Sequence, residues 1–356
     1  MSDVSLASAP IEPDDLRGLH YPFGRHVPEG GNLLEVAPGV FWLRMPIPFA
    51  LDHINLWVLD DGDGWAIVDT GVQTTAGKAL WRAAFDGPLK GRPVTRVIVT
   101  HYHPDHLGLA GWLCKKWQIP LEIARTEYLL AKTLILETHP VPPADVVEFY
   151  TRAGWPDERL AAFAKHSWGH FSLGVSPLPM GFLRIEDGDV LKIGGRDWRV
   201  VTGRGHSPEH SCLVCDEAGL MIAGDQVLPR ITSNVSVYPG EPRGNPLRDW
   251  LESIEKLEGL DAGLRVLPAH NEPFERLHVR LAQLRDDHMD KLDKLADFCS
   301  EPRSVFDTFP ILFRRPVGER EVMMASGEAL AHLHWLEARN LVARERVGET
   351  DRFVAV

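Results

Sequence analysis

The sequence predicts an α/β fold with a helical insert and a small C-terminal domain of helices and a hairpin, and three observations carry that expectation. Short apolar runs rich in Val and Ile end repeatedly in loops that hold histidine or aspartate, as strands do when a sheet presents polar residues along one edge. Segments with apolar residues spaced by three and four alternate with these runs. The chain has 356 residues, 44% apolar and 25% charged, which suits a globular protein with a large core and room for one smaller domain.

Residues 1–32 read as an N-terminal extension carrying Gly24, Pro28, Gly30 and Gly31. Met1 to Asp15 lacks the basic and apolar regions of a secretory signal, and no run of about 18 apolar residues occurs to span a membrane. Cys114, Cys212, Cys215 and Cys299 are too few and too scattered for a disulfide framework, so a reducing cytoplasm is expected. Residues 40–45, 53–59 and 65–68 read as strands, the last two joined by the turn at 60–64, and residues 73–85 as the first covering helix. His53 and Asn55 lie on one of these early strands and are expected to face a substrate pocket.

The densest chemistry is Thr100-His101-Tyr102-His103-Pro104-Asp105-His106. It follows the apolar strand run Val97-Ile98-Val99 and collects three imidazoles and one carboxylate, donors that borderline divalent metals prefer. His101 and His103 alternate about Tyr102 and point the same way in an extended segment; Pro104 then stops the strand, and Asp105 and His106 turn back. Gly108 and Gly111 fall in the apolar segment 107–113, which predicts a helix packed closely against the strand end. Three further segments place donors just past apolar runs. They are Gly205-His206-Ser207-Pro208-Glu209-His210, Ile222-Ala223-Gly224-Asp225 and Leu267-Pro268-Ala269-His270-Asn271.

These segments resemble the HxHxDH, GHTPGH, GD and PGHG elements of the metallo-β-lactamase superfamily, in that order, with Ala269 and Asn271 replacing glycines of the last. The resemblance covers most of residues 33–275 and implies the αββα metallo-β-lactamase sandwich, in a domain spanning 33–280. It assigns His101, His103 and His206 to one metal, Asp105, His106 and His270 to a second, and Asp225 to a bridge between them. Two Zn2+ per chain are therefore expected, and Mn2+ or Fe suits the same donors. Trp65-Ala66-Ile67-Val68-Asp69-Thr70-Gly71 resembles the superfamily strand ending in DTG, which implies that Asp69 accepts the free N–H of a ligand imidazole; a turn cap is the alternative. His210 has no place in the family's metal set and reads as a supporting or packing residue.

The spacing from His106 to His206 leaves an insert at about 126–183, where helical segments at 127–137, 144–153 and 157–164 alternate with proline turns. Its aromatic residues and Met180 either wall an apolar substrate pocket, bury the insert on the sandwich, or make a dimer contact. Residues 281–356 form the expected C-terminal domain. The end of a long helix at 275–297 leads into it, and a second helix from 318 or 319 to 338 and a hairpin follow, an arrangement that resembles the winged-helix domain of some β-lactamase-like hydrolases. Residues 286–356 hold fourteen acidic residues against ten Lys or Arg, and the whole chain carries a net charge of −12. Both weigh against nucleic acid as a partner, and packing or homodimerisation is the expected role of this domain. Cys212 and Cys215 lie three apart in one strand, so alternation sends their thiols to opposite faces, against a redox or zinc reading.

Two cations lower the pKa of a water between them, so a bridging hydroxide is the expected nucleophile and Asp105 its catalytic proton acceptor. The full donor set departs from zinc β-lactamases, which lack one or more of the residues standing here as His106 and Asp225. A metal-dependent hydrolase acting on a small-molecule ester, thioester or lactone is therefore expected. A phosphodiesterase or RNase of the same fold, and a non-catalytic binding or regulatory protein, are the alternatives. Arg230 is the one candidate anion anchor after the GD element, with a loop-stabilising role as its alternative, and Tyr102 is a further candidate for substrate contact.

Overall fold

Seven strands make the first sheet, in the spatial order Leu34–Ala37, Val40–Pro46, His53–Asp61, Gly64–Val68, Val94–Val99, Leu121–Ile123 and Leu183–Arg184. The first four pair antiparallel, and pairing is parallel from Gly64–Val68 onward. A second sheet of five runs Val190–Ile193, Arg196–Gly203, His210–Cys215, Leu220–Gly224 and Arg265–Pro268, antiparallel except for its last pair. These come from a computed structural model that describes residues 14–48 and 51–356. The expected signal-free start therefore lies outside the described residues up to residue 13.

Burial arranges these elements in four layers. Trp42, Trp57, Val68 and Ile98 of the first sheet meet Trp198, Val200, Leu213 and Leu267 of the second in a core between the sheets. The outer face of the first sheet packs on the helices Thr75–Asp86, Ala110–Trp117 and Arg125–Leu136 through Trp81, Leu113 and Tyr128. The outer face of the second packs on Pro246–Glu258 and Leu277–Phe298 through Trp250, Leu281 and Leu284. The result is the expected αββα sandwich. The strand His53–Asp61 has its first seven residues buried, as a strand covered on both faces requires.

The four cysteines fall in three different cores. Cys114 lies under the helices of the first sheet, Cys215 between the sheets, and Cys212 and Cys299 beneath the helices of the second. All four are free and buried, and Cys212 and Cys215 point to opposite faces, as their spacing predicts.

Several expectations are corrected by the packing. Residues 14–21 form a hairpin, Asp14–Leu16 with Leu19–Tyr21, and Leu19 and Tyr21 are buried on the second sheet's outer core, so this part of the extension is docked. The helix expected at 107–113 is broken into Pro104–Leu107 and Ala110–Trp117. Its glycines answer both to the strand end and to the segment at 174–178: a Cβ on Gly108 would lie 2.3 to 2.6 Å from the carbonyl oxygens of Pro104, Gly71 and Gly174, and one on Gly111 only 2.1 Å from that of Pro177. The helix Leu277–Phe298 runs unbroken through the boundary expected at 280.

The insert divides between two roles. Tyr128, Phe171 and Phe182 pack on the first sheet's outer core. Phe149, Tyr150, Trp155, Phe163 and Trp168 instead join the core that contains Phe309, Leu330 and Phe353 of the C-terminal region. Trp155 Nε1–H donates to Ser326 Oγ at 2.8 Å, and Arg152 donates to Asp351 Oδ2 at 2.8 Å. Most of the insert's aromatics thus cement it to the C-terminal helices and hairpin. Those helices include Val322–Glu337, which is buried nearly all round, and the hairpin is Val342–Val347 with Thr350–Ala355. Among the described residues no helix is long and apolar enough to cross a membrane.

Candidate metal centre

The donors stand past the ends of strands or, for Asp105 and His106, in the short helix Pro104–Leu107 that follows one, at one edge of the sandwich. Parallel neighbours Gly64–Val68 and Val94–Val99 deliver Asp69 and His101, and the parallel pair Leu220–Gly224 and Arg265–Pro268 delivers Asp225 and His270. Arg196–Gly203 leads to His206. Loops at the carboxyl ends of parallel strands are the usual place for a site in such sheets.

The side chains gather into two groups. His101, His103, His206 and Asp225 bring donor atoms within 4.8 Å of one another, and so do Asp105, His106 and His270. Asp225 links the groups: its Oδ2 lies 3.3 Å from His206 Nε2 and 3.6 Å from His106 Nε2, and its Oδ1 lies 3.4 Å from His270 Nε2. Asp105 Oδ2 is 3.4 Å from His270 Nε2.

The opposite edges of these rings are already committed. His106 Nδ1–H donates to Asp69 Oδ2 at 2.7 Å, His206 Nδ1–H to the carbonyl of Asn234 at 2.8 Å, and His270 Nδ1–H to the carbonyl of His53 at 2.8 Å. Each bond fixes a tautomer that leaves Nε2 with a lone pair facing the centre. His106 Nε2, His270 Nε2 and Asp225 Oδ1 are sealed from solvent with no hydrogen-bond partner among the described residues. His101 Nε2 faces His103 Nδ1 at 2.8 Å and His206 Nε2 at 3.2 Å. Buried lone pairs converging without protons are costly, and divalent cations are the ligands that relieve this arrangement. The donor set therefore fits a metal.

Electrostatics agrees at His101 and His103, whereas the raised His106 and His270 hold protons that a bound cation would displace. Burial, reinforced by neighbouring imidazoles, holds His101 far below the usual histidine range, and burial with His206 beside it takes His103 down to about 3. Burial opposes charge on His106 and His270, yet nearby carboxylates outweigh it; Asp225 and Asp105 bring His270 up to about 10. Asp225 is itself held well below the carboxylate range because His270 and His106 outweigh its burial.

Around this shell the predicted residues separate. Asp69 is buried and accepts from Thr100 N–H at 2.8 Å and from Thr100 Oγ1 at 2.9 Å as well as from His106. His210 Nε2 accepts the backbone N–H of Asp225 at 3.1 Å, which holds Asp225 in place. Tyr102 stands beside the centre, its ring 4.4 Å from that of His103. His53 and Asn55 were expected at a pocket, but both are spent on the His270 loop. The Asn55 amide donates to the carbonyls of Pro268 and Asn271, and His53 Nε2 accepts from Asn271 N–H at 2.9 Å. Arg230 is not a free anion anchor either, since it pairs with Glu272 at 2.8 Å and lies over the ring of Tyr21.

Sequence reasoning missed two residues. Glu127, fully buried, accepts from Tyr102 N–H at 2.9 Å, Ser207 Oγ–H at 2.7 Å and Glu209 N–H at 2.6 Å. It thereby ties two ligand loops together, and burial pushes its carboxyl up to about 7. A lone acid beside Tyr128 on the inward face of a helix was its only signal. Asn234 acts through its backbone carbonyl, which carries no sequence signal.

Comparison with known proteins defines the class. The metallo-beta-lactamase superfamily model matches residues 50–270, and the model of the metallo-beta-lactamase-like C-terminal domain matches residues 292–356. The chain belongs to the metallo-beta-lactamase superfamily and is a metal-dependent hydrolase. In particular, it resembles the crystal structure of a beta-lactamase domain protein from Burkholderia ambifaria, at 41% identity and a TM-score of 0.89, covering 95% of this chain and 98% of that one. A probable metallo-hydrolase of Bacillus subtilis is 26% identical, with 88% of this chain and 97% of the relative aligned. An acyl-coenzyme A thioesterase of Bos taurus is 26% identical, with 70% of this chain and 84% of the relative aligned.

Proposed function

We propose that the chain is a thioester hydrolase whose seven donors hold two divalent cations, zinc foremost. The observation that carries this reading is Asp225, set within 3.3 to 3.6 Å of histidines from both donor groups. His101, His103 and His206 would hold one cation, Asp105, His106 and His270 the other, and Asp225 both. Bound there, divalent cations supply hydroxide at neutral pH and offset the charge that builds on the substrate oxygen.

The chain's own groups do the rest. Asp69 and the carbonyls of Asn234 and His53 keep three imidazoles in the tautomer that turns Nε2 inward. Asp105, with a side chain 15% exposed against 10% for Asp225, is the carboxylate best placed to orient the nucleophile and take its proton. Burial alone would raise its pKa, but His106 and His270 hold it below the usual range, so it is deprotonated and free to accept a hydrogen bond from the nucleophile at neutral pH. The thioester is favoured among acyl substrates because of the relative named for acyl-coenzyme A hydrolysis. The net charge of −12 agrees with a small-molecule substrate in preference to nucleic acid.

Two measurements test this. Metal analysis of the purified chain should return about two equivalents per chain, the number of sites proposed, and none would sink the reading. A panel of thioesters, esters, lactones, β-lactams and phosphodiesters should show turnover fastest on thioesters; turnover confined to phosphodiesters would replace the proposal.

A further inference from the structure

Residues 225–245, between the strand Leu220–Gly224 and the helix Pro246–Glu258, form neither helix nor strand. The segment starts at the donor Asp225 and carries Asn234, whose carbonyl accepts His206 Nδ1–H. Its path therefore bears directly on the centre. Val235, Ser236 and Val237 are buried, and buried backbone outside helices and sheets has to find its partners elsewhere. Among the described residues, Val237 supplies the one backbone N–H between 227 and 240 that reaches another backbone carbonyl.

That carbonyl belongs to Gly327, in the C-terminal helix Val322–Glu337, at 3.0 Å. The same helix grips the segment on either side of this bond. Ser236 Oγ lies 2.7 Å from Asn234 Oδ1 and 3.2 Å from the carbonyl of Met324, and His334 Nδ1–H donates to the carbonyl of Gly244 at 2.7 Å. A Cβ on Gly327 would lie 2.7 Å from Ser236 Cβ, 2.7 Å from the Val237 carbonyl oxygen and 2.9 Å from Ser236 Oγ. Helix and segment meet this closely only through glycine. Glycine is a poor residue for a helix interior, where alanine is favoured, so the close approach accounts for its presence. Three positions separate Val237 from Asn234, and one hydrogen bond then separates Asn234 from His206.

We propose that Gly327 and Ser236 are positioning residues of the metal centre: the C-terminal helix sets the path of the Asn234 segment, and Asn234 sets the ring of His206. The inference rests on the two-cation reading and gives the C-terminal domain a part in it. The Asn234 carbonyl decides which nitrogen of His206 carries the proton. Moved out of reach, it would release Nδ1–H and leave Nε2 without a fixed lone pair for a cation. The effect belongs to the cation that His206 would share with His101 and His103. His106 and His270, which would hold the other, have their own supports in Asp69 and the carbonyl of His53.

The test titrates zinc into the metal-stripped full chain against a competing chelator, for wild type, Gly327→Ala and the milder Ser236→Ala. Each variant should weaken one of the two zinc-binding events by about 10–100-fold, the usual cost of losing an outer support, with Ser236→Ala at the low end. The other event should be unchanged. A merely structural contact gives a different result: zinc affinities equal to wild type, or both lowered together with the melting temperature, and either overturns the proposal. Nitrogen NMR of the imidazole rings in the metal-stripped chain, with His206 assigned through His206→Gln, adds a readout that needs no metal. Wild type should show His206 protonated at Nδ1 alone, and the variants a mixture of tautomers; a single tautomer throughout overturns the proposal. If wild type takes up no zinc, the two-cation reading fails on its own, and the tautomers decide for or against the positioning of His206. Should Gly327→Ala not fold, Ser236→Ala carries both readouts.

Discussion

Asp69 adopts φ +62°, a left-handed conformation that Asn and Asp tolerate better than other residues with a Cβ. Asp69→Asn should therefore keep the backbone and remove only the charge beneath His106. Loss of such a supporting carboxylate typically costs about 10–100-fold in metal affinity or activity, and competition with a zinc chelator would read it. Equal affinity in the variant would reduce Asp69 to the turn cap that was the alternative reading of its sequence. Asp105→Ala should depress kcat far more than it depresses thermal stability, because the side chain meets only other donors; full activity at normal metal content would remove its role as base. The centre was legible residue by residue where donors cluster within a few positions, as from His101 to His106. The supporting shell was not. Asn55 reaches carbonyls more than 200 positions away, and Asn234 contributes a backbone oxygen that any residue would supply.

Elements were legible where periodicity was strong and misjudged where a distant segment intervened. The strands before the ligand loops and the helix expected at 144–153 fall within a residue or a few of their predicted ends. The split after Leu107 did not show, because the carbonyls of Gly71 and Pro177 that press on this segment belong to the turn after an earlier strand and to the far end of the insert. Gly111→Ala tests that contact with a clear sign. Alanine in an ordinary helix interior stabilises by roughly 0.5–1 kcal/mol over glycine. Here the new methyl would meet the Pro177 carbonyl at 2.1 Å, and overpacking costs typically about 1–3 kcal/mol. Urea denaturation should show a net loss, and a gain would mean that the insert yields easily. The aromatics of the insert illustrate the same limit at larger reach. Composition could not tell a pocket from packing, and most of them pack on the C-terminal region.

At the scale of the whole molecule, the C-terminal helix and the helix Leu277–Phe298 meet through two buried histidines. His288 Nδ1 and His332 Nε2 are 3.1 Å apart, and His332 Nδ1–H donates to the carbonyl of Glu328 at 2.7 Å. Burial, with Lys291 nearby, takes His332 down to about 4, and burial with His332 and Lys291 holds His288 well below the usual range. Asp287 and Glu328 also face this pair. A histidine kept neutral in the folded state but free to charge when unfolded loses stability as pH falls from 6.5 toward 4, and none above 6.5. A depression of that size corresponds to about 3 kcal/mol. In metal-stripped protein, melting temperature should fall across this window, and His332→Asn, which keeps the donor to Glu328, should flatten the fall. Parallel curves for the two proteins would deny the pair any part in acid sensitivity. The three cores offer a finer view of such opening, because each contains its own cysteine. Cys114, Cys215 and the pair Cys212 with Cys299 are sealed in separate layers, and burial keeps every thiol protonated. Alkylation therefore has to wait for the surrounding layer to part. Timed labelling followed by peptide mass mapping would give the chain three built-in clocks, one for each interface of the sandwich.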